Sequence, residues 1–402
     1  MLNRLRLITA GESHGPRLTA ILEGMPAGLP IDLEALETML ARRQRGFGAG
    51  GRMKIERDRA VITAGAADGT TSGGPIALDI HNRDWASWKD RDIAAMTRPR
   101  PGHADLSATL KYGYNDLRHA LERASARETA ARVAAGALAV QLLAALGVRI
   151  GGHVRRIGRV DVAVADPGGD NDAGWHALLD HAHDDEMGAA VAGDAERFRA
   201  EVRAAIAARD TLGGIIEVVA VGLPPGLGSH VAWDRRLDAR LAFAMASIPA
   251  MKGVEIGEGF GATAQMGSAV HDAIVLRDDG TIVRPTNRCG GLEGGISNGA
   301  PIVVRIAMKP IATTLVGLPT IDLRDGSAGA TDYERSDICA VPRAVPIAEA
   351  MMALVLADAM LEKLGGDSLA ELLSRLPGLR RARLADLAMR GEPWRFAYED
   401  PT

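Results

Sequence analysis

The sequence predicts an α+β fold organised as one large domain. Three observations predict it. Strand-like and helix-like runs mix along the 402 residues without the steady βαβ alternation of a doubly wound sheet. No Pro/Ser-rich linker cuts the chain, and no fixed-period repeat is present. Length alone would allow two or three domains or one large one, and 47% hydrophobic with 24% charged residues is enough to bury a sizeable core.

The elements follow in order. Arg6–Ala10 reads as a short strand that runs into Gly11-Glu12-Ser13-His14-Gly15, and Leu18–Glu23 as the next strand. Ile31–Arg43 places Leu33, Leu36, Met39 and Leu40 at helical spacing. The glycine-rich stretch Arg45–Arg52 reads as a loop, followed by strands at Arg59–Ala64 and Ile76–Ile80. Residues 82–102 are polar and Pro-rich and read as a long ordered loop. Ser125-Ala126-Arg127-Glu128 has the S-x-x-E pattern of a capping box, so one helix is expected from there to Leu146, stopped by Gly147. Val148–Val164 reads as β-structure, and the acidic, Ala-rich 165–210 as peripheral helix. Gly213–Val221 is a buried strand and Pro301–Met308 alternates like another, with a glycine-rich stretch between them. Ala344–Leu364 is apolar but carries Glu349 and Asp358, so it reads as a buried helix and not a membrane span. The domain is expected to occupy 1–370, leaving 371–402 as a C-terminal tail of low pattern and expected mobility.

Composition narrows the function. The net charge of -4 argues against a general nucleic-acid or membrane-surface binder, and 3% aromatics against base stacking. Lysine occurs six times (54, 89, 111, 252, 309, 363), so 41 of the 47 basic residues are arginine. A coding bias explains much of that; bidentate anion binding is the functional alternative. Two cysteines, Cys289 and Cys339, make no disulfide framework or CxxC motif. Met1–Gly11 has no apolar leader, so a reducing, cytoplasmic setting is expected.

Several segments could carry chemistry. His14 sits in a tight turn after a strand, where a proton could be delivered; a turn histidine without a role is the competing reading. Ser13 is not in a G-x-S-x-G elbow. Arg42, Arg43, Arg45 and Arg52 flank the glycine loop, which matches neither nucleotide motif. Arg98-Pro99-Arg100-Pro101-Gly102-His103 presents Arg100 and His103 on a stiff backbone. Glu122–Glu128 opens a helix, with Arg123 and Arg127 one turn apart beside its free N–H groups. Arg335 and Asp337 could hold a polar ligand from two sides or form a loop ion pair. The His181, His183, Asp184–Glu186 cluster has no metalloprotease order, and no metal site is expected.

Taken together these segments resemble the chorismate synthase family. Gly11–Gly15, Arg100-Pro101-Gly102-His103-Ala104-Asp105, Glu122–Thr129, Lys252–Gly257, Gly290–Gly299, Met308-Lys309-Pro310 and Arg335-Ser336-Asp337 match its signatures in order, from about residue 4 to about 370. The resemblance implies a β-α-β sandwich, with sheets in the core and helices outside, and a homotetramer. It implies elimination of phosphate from 5-enolpyruvylshikimate 3-phosphate to give chorismate, with reduced FMN and no net redox change. NADPH would enter only as an outside source of reductant.

By motif, the resemblance makes His14, His103 and Asp337 catalytic and Arg43, Arg52, Arg100 and Arg127 substrate-binding. It gives Arg123, Ala124, Ser125, Ala250, Gly294, Lys309, Pro310, Ile311, Ala312, Thr313 and Arg335 to the flavin. His14 would protonate the departing phosphate, His103 would help hold the charge state of the flavin, and Asp337 would tune its reactive nitrogen. The family's glycine loop reads G-Y-G-R-G, but here it is Gly46-Phe47-Gly48-Ala49-Gly50, which puts one substrate arginine in doubt at Ala49. The alternatives are a paralogue with little turnover, an arginine-based phosphate or RNA binder, and a hydrolase acting through Ser13.

Overall fold

The computed structural model describes residues 2–48, 57–332 and 336–396. Its two large sheets are antiparallel, with long helices between them. The first sheet is formed by β1 (Arg6–Ala10), β2 (Arg17–Glu23), β3 (Ala60–Ala64) and β4 (Ile76–His81), in the order β1-β2-β4-β3. The second is formed by β5 (Arg149–Ile157), β6 (Val160–Asp161), β7 (Gly214–Val221), β8 (Met251–Ile256) and β9 (Ile302–Met308), in the order β8-β9-β7-β5-β6.

Side-chain alternation decides which way each sheet faces. Leu18, Ala20 and Leu22 on β2, and Ile76, Leu78 and Ile80 on β4, are buried on one face. That face lies on the helix Thr129–Ala145, nearly all of whose apolar residues are buried. On β7, Ile216, Val218 and Ala220 join the same core, while Val219 and Val221 pack with Val303 under Trp175 and Leu179 on the opposite face. Both faces of β7 are therefore covered, as its mostly apolar run requires, and its one charged residue, Glu217, is buried against His153 and Arg305.

The helices, in chain order, are α1 (Leu33–Arg42), α2 (Asp105–Tyr112), α3 (Arg118–Ala124), α4 (Thr129–Ala145), α5 (Asp172–Asp184), α6 (Asp194–Ala208), α7 (Leu237–Ala246) and α8 (Val341–Leu364). α4 and α8 pack directly on each other, α4 against the first sheet and α8 against the second. The α+β class and the β-α-β layering agree with the sequence reading. The position of the long helices corrects it: they form the middle layer, and α5 supplies the outside cover. Gly136 makes this layer possible, since a Cβ there would lie 2.4 Å from the Ala350 Cβ.

α8 is apolar and long enough to cross a membrane, but here it is buried in the core. Its buried carboxylates are matched. Glu349 accepts two hydrogen bonds from Arg42, at 2.6 and 2.9 Å. Asp358 pairs with Arg240 and accepts from the backbone N–H groups of Asn3, Arg4 and Leu5. Asp358 thus anchors the chain just ahead of β1.

One helix prediction needs correction. α3 ends at Ala124, Ser125 is extended (φ -60, ψ 140), Ala126–Glu128 form a 3-10 turn, and α4 begins only at Thr129. Ser125 Oγ accepts from Arg127 N, and the Glu128 carboxylate is drawn to Thr9 and Arg132, so no capping box forms there. The box that does form is Ser368 with Glu371, opening the helix Leu369–Arg375. Beyond it, Ile282 N donates to Ala382 O and Leu384 N to Gly280 O.

Candidate active site

The loop after β1 is held in a fixed shape. Gly11 adopts φ +105, and a Cβ there would meet Arg17 O at 2.4 Å. Asn82 Nδ2 donates to Glu12 O and Gly15 O, at 3.2 and 2.7 Å, closing the loop. From α3, Glu122 reaches across. Its Oε2 accepts from the His14 backbone N–H and its Oε1 is hydrogen-bonded to His14 Nδ1, both at 2.7 Å. The Trp88 ring lies 4.3 Å from the imidazole, centroid to centroid. Burial raises the Glu122 carboxyl, but hydrogen bonds from the His14 ring and backbone outweigh it and hold the group below its ordinary value. Ser13 and Ser125 approach through their hydroxyls at 3.2 Å.

Behind this loop lies a buried group of arginines. Arg127 donates Nη1 to Asp58 Oδ1 at 2.5 Å and Nε to Asn82 Oδ1 at 2.8 Å. Arg43 donates to the other Asp58 oxygen at 3.3 Å, to Thr129 Oγ1 at 3.0 Å and to Ala126 O at 2.9 Å. Arg343, on α8, donates to Arg43 O at 2.9 Å and forms an ion pair with Asp337. Burial pushes the Arg43 guanidinium below its ordinary value, and the neighbouring Arg127 and Arg343 push the same way against Asp58 and Asp337. Among the described residues, two buried guanidiniums share this one carboxylate, an arrangement that suits an added anion.

The third part is the stiff loop before α2. Asp105 Oδ2 accepts from Arg100 N and Nε, at 3.0 and 2.8 Å, and Asp105 Oδ1 is 2.5 Å from His103 Nδ1. Burial would raise the Asp105 carboxyl, but hydrogen bonds from His103 and Arg100 hold it well below the usual carboxylate range. Arg100 Nη1 reaches Thr313 Oγ1 at 3.3 Å. Lys309 bridges two segments, with Nζ donating to Gly102 O at 2.7 Å and its backbone N to Ala250 O at 3.0 Å. Ala250 holds φ +70, an uncommon conformation for a residue with a side chain. Burial, and then Lys252, lower the Lys309 ammonium, and no carboxylate pairs with it among the described residues.

These parts form one hydrogen-bonded chain. From His103 it runs through Asp105 and Arg100 to Thr313, whose carbonyl accepts from Ser336 Oγ at 3.0 Å. From the adjacent Asp337 it runs through Arg343, Arg43, Asp58 and Arg127 to Asn82, which holds the His14 loop. The three residues expected to be catalytic are thus linked, although they are 323 positions apart at the extremes, His14 to Asp337. Thr211 Oγ1 donates to Ile311 O at 2.8 Å, fixing the segment that also carries Pro310 and Ala312.

Other expected residues stand apart from it. Arg123 is exposed and donates to Thr9 O and Thr9 Oγ1, both at 2.9 Å. The break at Ser125, next to Ala124, separates Arg123 from Arg127, so they do not flank one helix start. Gly294 is exposed in the turn between the short strands Leu292–Glu293 and Ile296–Ser297. Arg52, Arg335 and Ala49 lie outside the described residues. His181 and His183 lie at the end of α5, in its last turn. Sequence reading missed Asp58, Asn82, Glu122 as a partner of His14, and Arg343. Only Glu122 lay within a recognised motif.

Buried arginines clustered with two histidines that are each hydrogen-bonded to a carboxylate suit a small molecule carrying several negative charges. Fold and site together define a small-molecule enzyme acting on such an anion. Comparison with known proteins gives the family. The chorismate synthase family model matches residues 5–361. A chorismate synthase of Moorella thermoacetica is 52% identical over 388 residues, covering 94% of this chain and 98% of the relative. One from Aquifex aeolicus is 49% identical over 390 residues, covering 93% and 97%. A crystal structure of chorismate synthase aligns with TM-score 0.78 at 43% identity, covering 94% of this chain and 98% of that one. The chain belongs to the chorismate synthase family. Its reaction is the anti-1,4-elimination of phosphate from 5-enolpyruvylshikimate 3-phosphate to give chorismate, a carbon–oxygen lyase step of the shikimate pathway.

Proposed function

We propose that this chain carries out the elimination with reduced FMN, and that the hydrogen-bonded chain described above is its active site. The observation that carries this reading is the sharing of Asp58 by Arg43 and Arg127. The substrate has two carboxylates and a phosphate. Arg43, Arg100 and Arg127 are assigned to them, with Arg52 assigned by motif. His14 Nε2 is assigned to protonate the phosphate oxygen as the C–O bond breaks, so that the leaving group departs with less charge.

The residues present fit a phosphorylated cofactor. Lys309 is a half-buried ammonium, bonded among the described residues to a carbonyl and repelled by Lys252, which suits a cofactor phosphate. Arg123, Ala124, Ser125, Ala250, Gly294, Pro310, Ile311, Ala312, Thr313 and Arg335 are assigned to the same group by motif. Reduced FMN, when bound, supplies electron density that promotes cleavage of the allylic C–O bond and is recovered with no net redox change. His103, oriented by Asp105, is assigned to hold a proton toward the cofactor's anionic edge, and Asp337 to lie beside its reactive nitrogen. NADPH enters only as an outside reductant.

A homotetramer is the assembly proposed. It is supported by the outer face of the first sheet, where Ile8, Ile21 and Val61 are 48%, 40% and 49% exposed. Two free cysteines support a cytoplasmic location.

The test is anaerobic turnover of 5-enolpyruvylshikimate 3-phosphate with dithionite-reduced FMN. Chorismate and phosphate should appear in equal amounts, and neither without reduced flavin. His14→Ala and His103→Ala should each lose most turnover; wild-type rates in both would refute the assigned roles.

A further inference from the structure

Glu122 makes more contacts with the His14 loop than a cap or surface ion pair requires. Its carboxylate takes the His14 backbone N–H on one oxygen and bonds ring Nδ1 with the other, both at 2.7 Å. Its carbonyl accepts from the Ser13 N–H at 3.1 Å. The loop is thus attached to one residue of α3 at three points. The ring is also confined by Trp88, whose indole Nε1 donates to Asp84 at 3.0 Å. Arg118, one turn before Glu122, lies 5.9 Å from the Trp88 ring. The His14 and Glu122 side chains are only 18% and 14% exposed, so water competes weakly for the pair.

An imidazole has two nitrogens, and the bond made by one decides the role of the other. A carboxylate can only accept, so at Nδ1 it selects the N–H form. We propose that Glu122 is the positioning residue of His14: it commits Nδ1–H to itself and sends proton delivery to the leaving phosphate through Nε2. The inference rests on the reading of His14 as the proton donor. In the step, the Nε2–H bond breaks and an O–H bond forms on the phosphate, which keeps the electron pair of the broken C–O bond. His14 is left neutral with its proton on Nδ1, still bonded to ionised Glu122. Among the described residues, the other charged groups near this pair are Arg118 and Arg123 on α3, Glu12 on the His14 loop, Asp84 behind Trp88, and Asp116 and His119, which line the cleft outside Glu122.

The test compares Glu122→Gln, Glu122→Asp, His14→Ala and the double variant Glu122→Gln/His14→Ala, in the full chain with reduced FMN. The amide of Gln carries one acceptor oxygen, so it cannot accept both His14 donors as the two carboxylate oxygens do. We expect kcat of Glu122→Gln to fall about 10- to 100-fold with KM within about threefold. Glu122→Asp, which keeps a carboxylate, should recover part of kcat. In the His14→Ala background Glu122→Gln should cost nothing more, because its effect acts through the ring. Nitrogen NMR of histidine-labelled protein should show the neutral His14 ring as Nδ1–H in the wild type and as a mixture of tautomers in Glu122→Gln. Full turnover in Glu122→Gln, or additive losses in the double variant, would overturn the inference while leaving His14 in place. Full turnover in His14→Ala would overturn the reading of His14 and the inference with it.

Discussion

Arg43 and Arg127 approach one carboxylate, that of Asp58, from two sides, and all three side chains are buried. The two residues come from distant parts of the chain, Arg43 from the end of α1 and Arg127 from the turn before α4. Burial lowers Arg43 most; Asp58 opposes it, and Arg127 and Arg343 add smaller repulsions that leave the guanidinium below its ordinary value. Two guanidiniums held out of water around one carboxylate are an arrangement to which a polyanion can add.

Removing Asp58 should expose that balance. Asp58→Asn takes the shared carboxylate away from two buried guanidiniums, and breaking such a buried pair costs about 3–5 kcal/mol. We expect a lower Tm without ligand. The substrate-induced rise in Tm should exceed that of the wild type, because the substrate then supplies the missing negative charge. Thermal unfolding with and without 5-enolpyruvylshikimate 3-phosphate checks both, and an equal rise in the two proteins would count against this account.

The pair His103 and Asp105 makes a prediction in pH. The Asp105 carboxyl lies below its ordinary value of 3.8 when folded. A depressed carboxyl contributes stability that is fully present above the unfolded value and is lost as pH falls through the folded one. Glu122, also depressed, acts in the same direction. The wild type should lose stability steeply as pH falls below about 4, and Asp105→Asn should start from a lower plateau and fall less steeply. Urea midpoints measured from pH 7 to pH 3 on both proteins decide it.

Much of this fold was legible in the sequence because local pattern and tertiary outcome agree. Leu18, Ala20 and Leu22 alternate as strand residues and are buried as such, and the run 214–221, apolar but for Glu217, is a strand covered on both faces. The start of α4 was misread because Ser125 and Glu128 have the spacing of a cap while their side chains are used elsewhere, on Arg127 N and on Thr9 and Arg132. The middle position of α4 and α8 was not readable from periodicity: a helix apolar on every side is buried, but nothing local says between which layers. Within the site, His14, His103 and the arginines were legible through motifs. Asp58 and Asn82 lie in no motif, and their importance arises only when the chain brings them against Arg127.

The crossing of α4 and α8 gives a prediction whose sign opposes helix propensity. Gly136 to Ala within a helix ordinarily stabilises by about 1 kcal/mol. Here the new methyl would sit 2.4 Å from Ala350 Cβ and 2.7 Å from Ala350 Cα, which is backbone and cannot swing aside. Separating the helices in a packed core costs about 1–3 kcal/mol. Gly136→Ala should therefore lower Tm, and Ala350→Gly in the same chain should restore part of the loss; calorimetry of the two variants tests it.

Lys309 should show binding and stability pulling in opposite directions. Its ammonium is half-buried, bonded to Gly102 O, and lowered first by burial and then by Lys252. Among the described residues no carboxylate offsets this charge, so Lys309→Met removes a desolvation cost while keeping most of the apolar stem. The variant should be as stable as the wild type or slightly more so. A charge-assisted hydrogen bond is worth about 1.5–3 kcal/mol, so if Lys309 holds the cofactor phosphate, reduced FMN should bind roughly 10- to 150-fold more weakly. Riboflavin, which lacks the phosphate, should bind both proteins alike. Anaerobic titration with FMN and riboflavin, beside thermal unfolding without ligand, separates the two effects. A variant that loses stability and FMN affinity together would instead make Lys309 a structural bridge between the Gly102 and Ala250 segments.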